Sequence, residues 1–587
     1  MSPANTQHIA SFIWGIADDV LRDVYVRGKY RDVILPFTVL RRLDSVLEPT
    51  KQKVMRQKEL LDGAGIVDQD FPLREESGQA FWNTSAFTMR DLRARTSQSR
   101  LQQDFLDYLD GFSPNVQTIL NNFEVRQQVP KLAKADALGA LIEKFLDPVI
   151  DLSPAGLDNH AMGTVFEELV RRFNEANNEE AGEHWTPRDA VKLMTRLVFD
   201  PIADQIPDGT YTLYDGAMGT GGMLTVAEET LQELAKARGK RVVTHLFGQE
   251  INAETYAIAL ADLLLKGEGQ NADRLVGGPE YSTLSNDAFA GKTFDFLLSN
   301  PPYGKSWKTD QDRMGGKAGI LDPRFLVTHD GDSEFSLVTR SSDGQMLFLA
   351  NMVAKMKQTT ALGSRIAEVH NGSSLFTGDA GQGESNIRRY IIENDWLEAI
   401  IALPLNMFYN TGIATYVWVL TNRKEPRRRG KVQLIDATGW YTPLRRNLGS
   451  KNRELSPEDI DQVMAAFAAF EDADPETSRV LRNEEFGYWK VTVQAADGTK
   501  DTEQIPFPSP LVEPVETAID AFIQREVLPY SPGAKVLPKL TKIGYEISFT
   551  KLFYKPQMMR TLDEIRADIR AAEAESEGLL AEVLGEA

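Results

Sequence analysis

The tetrapeptide Asn300-Pro301-Pro302-Tyr303 is where residue types and spacing first suggest chemistry. Two consecutive prolines fix φ and carry no backbone donor, and the residue before a proline is pushed into extended backbone. Asn300 is therefore held stiffly, its amide and the local carbonyls free to face a ligand, and an aromatic ring follows at once. That combination suits a planar ring bearing an exocyclic amine. The apolar run Phe294-Asp295-Phe296-Leu297-Leu298-Ser299 before it reads as a buried strand. The turn then lies where a strand leaves its sheet, and open α/β sheets bind ligands beyond the carboxyl ends of their strands.

The elements that must position this turn follow an alternating βα pattern. Tyr211 to Tyr214 reads as a strand entering Asp215-Gly216-Ala217-Met218-Gly219-Thr220-Gly221-Gly222, and Met223 to Ala237 as the helix after it. Glycines there let the backbone approach a ligand closely. The spacing is neither the dinucleotide fingerprint nor a P-loop, since Ser299 stands where a P-loop ending in Gly304-Lys305-Ser306 needs its first glycine. A second strand, Val242 to Phe247, ends at Gly248-Gln249-Glu250, and a carboxylate at such a tip can accept from both hydroxyls of a ribose. A helix from Glu254 to Leu265 follows. Upstream, a helix from Met162 to Asn174 precedes a second from Asp189 to Val198, started by Thr186-Pro187. Exposed amides at that start could receive a carboxylate. His184 has no metal-ligand partner at a suitable spacing, so no metal site is expected.

At 587 residues the chain needs two or three domains. Its 42% hydrophobic and 26% charged content is that of a soluble globular protein, and no apolar run is long enough to span a membrane. The expected compartment is cytoplasmic. There are no cysteines, which excludes disulfides, thiolate metal sites and cysteine nucleophiles. Lys and Arg number 65 against 85 Asp and Glu, a net charge of −20, so a DNA substrate would draw much of its phosphate contact from another subunit. Arg427-Arg428-Arg429-Gly430-Lys431 is a local basic patch.

Residues 1–150 read as a helical domain, with Trp14, Ala17, Leu21 and Val24 at helical spacing and a second helix starting near Pro36. Arg41, Arg42, Lys51 and Lys53 are either DNA contacts or solvated helix faces. Residues 151–440 form the candidate catalytic domain. Gly304 to Ser342 has no pattern of its own and is expected to be a loop that orders on DNA. Residues 441–587 are irregular, then helical from Pro514 to Arg525. They end in a seam of Leu562, Ile565, Ile569, Ala572, Ser576, Leu579 and Val583 at alternating steps of three and four.

The ordered set of Gly219 to Gly222, Glu250, Asp287 and Asn300 to Tyr303 resembles the S-adenosylmethionine-dependent amino-methyltransferases. With Thr186-Pro187 ahead of the glycine loop, it is similar to adenine-N6 DNA methyltransferases. Gly163 to Leu169, Glu183 to Arg188, His370 to Phe376 and Leu403 to Ile413 resemble, more narrowly, the modification subunit of type I restriction–modification systems. The resemblance implies an α/β, Rossmann-like methyltransferase sheet between an N-terminal helical domain and a C-terminal helical extension. It implies a methyl group passed from S-adenosylmethionine to the N6 amine of a flipped adenine in double-stranded DNA. Asn300, Pro301, Pro302 and Tyr303 would be catalytic, and Tyr303 and Phe408 would stack on the base. Glu183, His184, Trp185, Thr186, Pro187, Arg188, Asp215, Gly219, Thr220, Gly221 and Gly222 would surround the methionine end of the cofactor. Glu250 would hold its ribose and Asp287 its adenine amine. Partners would be a specificity subunit, with two modification chains per specificity chain and the C-terminal seam as contact, and a restriction/translocase subunit. Gly216 departs from the family's proline, which implies a less preorganised start to the glycine loop. Cytosine-C5 methylation needs a cysteine nucleophile that this chain lacks, and N4-cytosine enzymes tend to have serine where Asn300 stands. The competing readings are a protein-glutamine or RNA amino-methyltransferase, and a non-catalytic DNA-binding assembly subunit.

Overall fold

The structure, a computed structural model, describes residues 3–94, 98–176, 186–272, 274–317, 319–409, 411–448, 450–508, 515–554, 561–570 and 572–573. Two compact units are present, Met1–Ile547 and Ser548–Ala587.

The first unit is built on a nine-stranded sheet. Its strands are β1 (Gly209–Asp215), β2 (Val242–Glu250), β3 (Leu275–Gly277), β4 (Phe296–Ser299), β5 (Arg365–Asn371), β6 (Leu397–Ala402), β7 (Thr415–Thr421), β8 (Lys431–Asp436) and β9 (Ser478–Arg482). They lie in the order β9-β8-β6-β7-β5-β4-β1-β2-β3. Strands β3, β2, β1, β4 and β5 are all parallel, and β7 runs antiparallel between β5 and β6. Successive strands are added on one side of β1 up to β3 and on the other from β4, so the order reverses at β1. That reversal opens a crevice above the strand ends. The central strands are buried on both faces, which explains their continuous apolar runs. The sheet draws β9 from beyond residue 440. A separate antiparallel sheet of Gly487–Gln494, Lys500–Pro506, Lys535–Val536 and Lys542–Tyr545 follows. Buried Arg388 ties it to the main body by donating to the Tyr545 carbonyl at 2.6 Å.

The helical N-terminal expectation is met, and its apolar residues share one continuous core with the sheet. The second helix spans Arg31–Leu47, so it begins before Pro36, which lies inside it. Three of the candidate DNA contacts on this part of the chain are internal. Arg42, 1% exposed, donates to the carbonyls of Leu152 and Leu157, each at 2.8 Å. Arg41 donates to the Phe145 carbonyl, and Lys51 to Asn83. They staple helix to loop, because a buried cation must be bonded. Lys53 alone of the four is exposed. The basic patch at 427–431 is also partly internal, with the buried Arg428 guanidinium lying 4.1 Å and 4.4 Å from the ring centres of Phe467 and Phe470.

The described residues of 304–342 contain secondary structure that the sequence pattern did not display. They hold the short helix Lys308–Arg313 and the hairpin Leu326–His329 with Asp332–Ser336. Trp307 is buried and donates to the Arg340 carbonyl at 2.8 Å. Buried Arg324 donates to the carbonyls of Thr283 and Leu284 and to Asn351 Oδ1. Two side chains, Trp307 and Arg324, give this polar segment the anchorage that its periodicity did not display.

In the second unit residues 562–570 are helical. Thr561 opens that helix with a capping box, its hydroxyl accepting from Glu564 N while its own N–H donates to the Glu564 carboxylate. The seam residues Leu562, Ile565 and Ile569 are exposed, while Ser576, Leu579 and Val583 lie outside the described residues. No described helix is long and apolar enough to cross a membrane.

Candidate functional site

A cleft of ≈ 150 Å³ opens above the carboxyl ends of β1, β2 and β4. Its polar wall brings together Asp215, the Gly219 and Gly222 positions, Glu250, Thr186 and Asn300, residues spread over more than a hundred positions of sequence. Its apolar wall includes Phe166, Met223, Ile251 and Ile258.

The glycine turn is shaped by its backbone. Gly219 and Gly221 have φ of 56° and 79°, a region that L side chains avoid. Gly221 caps the helix Gly222–Ala237. Glu250 braces the turn, its Oε2 accepting from Gly219 N at 2.9 Å and its Oε1 from Asn252 N at 2.8 Å. The carboxylate thereby fixes the glycine turn to the tip of β2 on the wall of the cleft. Gly216 is not loose. A Cβ there would meet the Tyr214 hydroxyl at 2.9 Å and Thr283 Cγ2 at 3.1 Å, and its carbonyl accepts from the Thr283 hydroxyl. The departure from proline is thus accompanied by close packing.

Asp215 is 1% exposed and makes no ion pair with a described residue. Its Oδ1 accepts from the Ser299 hydroxyl at 2.6 Å and from Ala217 N at 2.9 Å. Burial, opposed by those hydrogen bonds and reinforced by the negative charges of Glu250 and Glu368, pushes its carboxyl up to about 7. A cationic group in the cleft would relieve that cost. Ser299 is a site residue that sequence reasoning missed; its only signal was adjacency to Asn300.

At the end of β4, Asn300 donates from Nδ2 to Thr186 Oγ1 at 3.0 Å. Its Oδ1 is buried and accepts no hydrogen bond from a described residue, and Asn300 lies on the wall of the cleft. Pro301 is buried and Pro302 lines the cleft. Beyond the turn, Gly304 N donates to Asp343 Oδ1 at 3.2 Å, and Gln345 links Asp343 to Asn371. Asp343 and Gln345 brace the turn through long-range contacts that no local spacing reveals.

Several expected residues stand elsewhere. Phe408, 3% exposed, is a core ring, and its face is not available to a base in this structure. It belongs to the same apolar cluster as Ile401 of β6 and Val417 of β7. Tyr303 is half-buried against the same core, its hydroxyl pushed up to about 12 by burial. Asp287 does not line the cleft. Its Oδ2 meets Lys355 Nζ at 2.6 Å and Arg324 at 3.7 Å, and Oδ1 accepts from Phe289 N, so its lone pairs serve a buried ion pair. Ser282 and Thr283 line that side of the cleft instead. Arg188 lines the cleft but is paired with Glu167 at 2.8 Å, and Pro187 is buried. Thr220 lines the cleft beside the glycines. Glu183, His184 and Trp185 lie outside the described residues.

The strand order and the cleft at its reversal define an S-adenosylmethionine-dependent methyltransferase fold. The chain belongs to the N-6 DNA Methylase family, whose pattern matches residues 157–493, and residues 9–145 match the HsdM N-terminal domain. It is similar to the type I restriction enzyme MjaIX methylase subunit of Methanocaldococcus jannaschii, 24% identical over 60% of this chain and 61% of that protein. The HindI methylase subunit of Haemophilus influenzae is 25% identical over 58% of this chain and 68% of that one. The chain thus spans less than two thirds of the MjaIX subunit. Among solved structures, the type I restriction-modification system methyltransferase subunit from Streptococcus thermophilus shares the fold. Its TM-score is 0.62 at 23% identity, covering 82% of this chain and 96% of that one.

Proposed function

We propose that this chain transfers a methyl group from S-adenosylmethionine to the N6 amine of adenine in DNA, as the modification subunit of a type I restriction–modification complex in the cytoplasm. The observation that carries the reading is the Oδ1 of Asn300, buried and without a hydrogen-bond partner among the described residues, on a rigid turn beside a glycine-lined cleft. A poised acceptor without donors fits an amine with two hydrogens to give. The cleft also fits the cofactor: Asp215 is a buried carboxyl with no cation beside it among the described residues, Glu250 is a strand-tip carboxylate on the cleft wall suited to hydroxyls, and Ile251 and Ile258 offer apolar contact to a purine.

When bound, S-adenosylmethionine supplies an electrophilic methyl on a cationic sulfur. The adenine amine is a poor nucleophile because its lone pair is delocalised into the ring. Asn300 Oδ1 and the Pro301 carbonyl accept its two hydrogens, which draws the nitrogen toward tetrahedral geometry and frees the lone pair. N6 is paired within the duplex, so the base must be flipped out to reach this turn. Tyr303, already half-buried beside the turn, supplies one stacking face. Asp215 neutralises the cofactor's ammonium. Residues 1–150 form the helical domain, the sheet carries catalysis, and the C-terminal region serves assembly. The specificity subunit, in a ratio of one to two modification chains, provides sequence recognition and phosphate contact that a chain of net charge −20 does not. A restriction/translocase subunit completes the restricting form.

The test is transfer of tritiated methyl to duplex DNA by the protein with its co-purifying partner, followed by digestion and identification of the labelled base. Label in N6-methyladenine, abolished by Asn300→Ala, is the expected result. Label confined to RNA or protein would overturn the reading.

A further inference from the structure

An asparagine amide has two faces of opposite character at nearly the same position, a carbonyl acceptor and an NH2 donor. The proposed reaction, on which this inference rests, works with one of them. With Oδ1 toward the cleft the amine's hydrogen is accepted; with Nδ2 there, two donors oppose each other. The prolines that stiffen the Asn300 backbone cannot set this choice, because neither has an N–H to hold Oδ1 or repel Nδ2. The choice falls to the hydrogen bond that the amide makes with a described residue, from Asn300 Nδ2 to Thr186 Oγ1 at 3.0 Å.

We infer that Thr186 is the positioning residue that orients the Asn300 amide for catalysis, acting through its hydroxyl oxygen and not as a simple lining group of the cofactor cleft. Thr186 precedes the helix Arg188–Phe199, while Asn300 ends β4, so the two arrive from elements 114 residues apart in sequence. Each is anchored independently. Asn300 is fixed by the buried strand and by Pro301, and Thr186 by the buried Pro187 and the apolar face of its helix. A hydroxyl can also donate, which would hold the amide in its unproductive orientation. Its single hydrogen has no acceptor among the described residues, and Thr186 lines the cleft, so an anionic group in the cleft can take it. With that hydrogen committed, Oγ1 can only accept, and the amide is locked with Oδ1 inward. Thr186 thereby couples occupancy of the cleft to readiness of the catalytic turn.

The experiment measures single-turnover methyl transfer in the assembled complex for wild type, T186V and T186S, with cofactor affinity by calorimetry and KM for DNA determined beside it. Valine keeps the shape of threonine without the hydroxyl, and serine keeps the hydroxyl. T186V should lose roughly ten- to a hundredfold in rate, the scale of one misplaced polar group at a reacting centre. Its KM for DNA should stay within about twofold and its cofactor affinity should fall by at most about tenfold, the scale of one lost hydrogen bond, so the rate loss should persist at saturating cofactor. T186S should retain the rate within about threefold, which a purely packing role for the methyl group does not explain. The inference is overturned if T186V transfers at the wild-type rate, if T186S is as impaired as T186V, or if saturating cofactor restores the T186V rate. Wild type without any transfer would overturn the functional reading itself, and this inference with it.

Discussion

A carboxyl group buried without a cation keeps its proton or acquires a positive neighbour. Asp215, pushed up to about 7 mainly by burial, is in that position. A ligand ammonium requires the ionised form, so binding should release a proton. Affinity for S-adenosylmethionine should therefore rise about tenfold per pH unit below 7 and level off toward it. Calorimetry in buffers of different ionisation enthalpy would detect the proton, and Asp215→Asn should flatten the profile. Behind the turn, on β5, Glu368 and His370 are both fully buried. Glu368 Oε2 and His370 Nε2 face each other at 3.5 Å, and neither these atoms nor Glu368 Oε1 makes a hydrogen bond with a described residue. Burial holds the Glu368 carboxyl far above its usual range and pulls His370 down to about 3. The raised Glu368 pKa contributes stability that is complete below its unfolded value and is lost as pH rises through the folded one. The lowered His370 pKa acts oppositely: the unfolded chain takes up a proton below about 6.5, so stability is lost on acidification. Glu368→Gln should thus melt progressively higher than wild type as pH is raised from 5 to 9, the gap growing by at most about 1.4 kcal/mol per unit.

At the scale of elements, the segment 304–342 shows why a polar, patternless stretch can be structural. Arg324 reaches from it into the loop that lines one side of the cleft, satisfying the carbonyls of Thr283 and Leu284 and meeting Asp322 at 2.6 Å. Arg324→Ala would leave those buried groups unpaired, a loss of about 3–5 kcal/mol by analogy with other broken buried pairs. Amide exchange across 281–287 and 320–338 should accelerate together, and cofactor affinity should fall. Substitution of exposed Lys305 should do neither. Wild-type exchange there should already be slow without DNA. The turn at Asn300, the strand before it, the glycine loop and Glu250 were legible because local spacing states them: an apolar run, two prolines, glycines where φ is positive. Asp287, Phe408 and Arg42 were misjudged because a charge or ring looks alike in sequence whether it meets a ligand or a buried partner. Ser299, Asp343 and Arg324 escaped notice for the same reason, since their partners lie on other elements.

For the whole molecule, net charge and an exposed apolar seam bear on the same question. A chain carrying −20 lacks the cationic excess with which a protein grips DNA unaided, and the buried Arg41, Arg42 and Arg428 reduce the surface cations further. Isolated protein should therefore bind duplex DNA weakly and lose that binding steeply with salt. The exposed seam of Leu562, Ile565 and Ile569 presents apolar side chains on a capped helix, a costly arrangement for a helix that meets only water. If that seam is the contact with the specificity subunit, deletion of 561–587 should abolish co-purification and DNA methylation while leaving cofactor affinity unchanged. The cleft is built from residues between Phe166 and Phe348, remote in sequence from the deletion, so loss of cofactor binding would mean that the region stabilises the catalytic fold instead. Replacing Leu562, Ile565 and Ile569 together by lysine should reproduce the deletion. Assembly that survives both changes would place the subunit contact elsewhere on the chain.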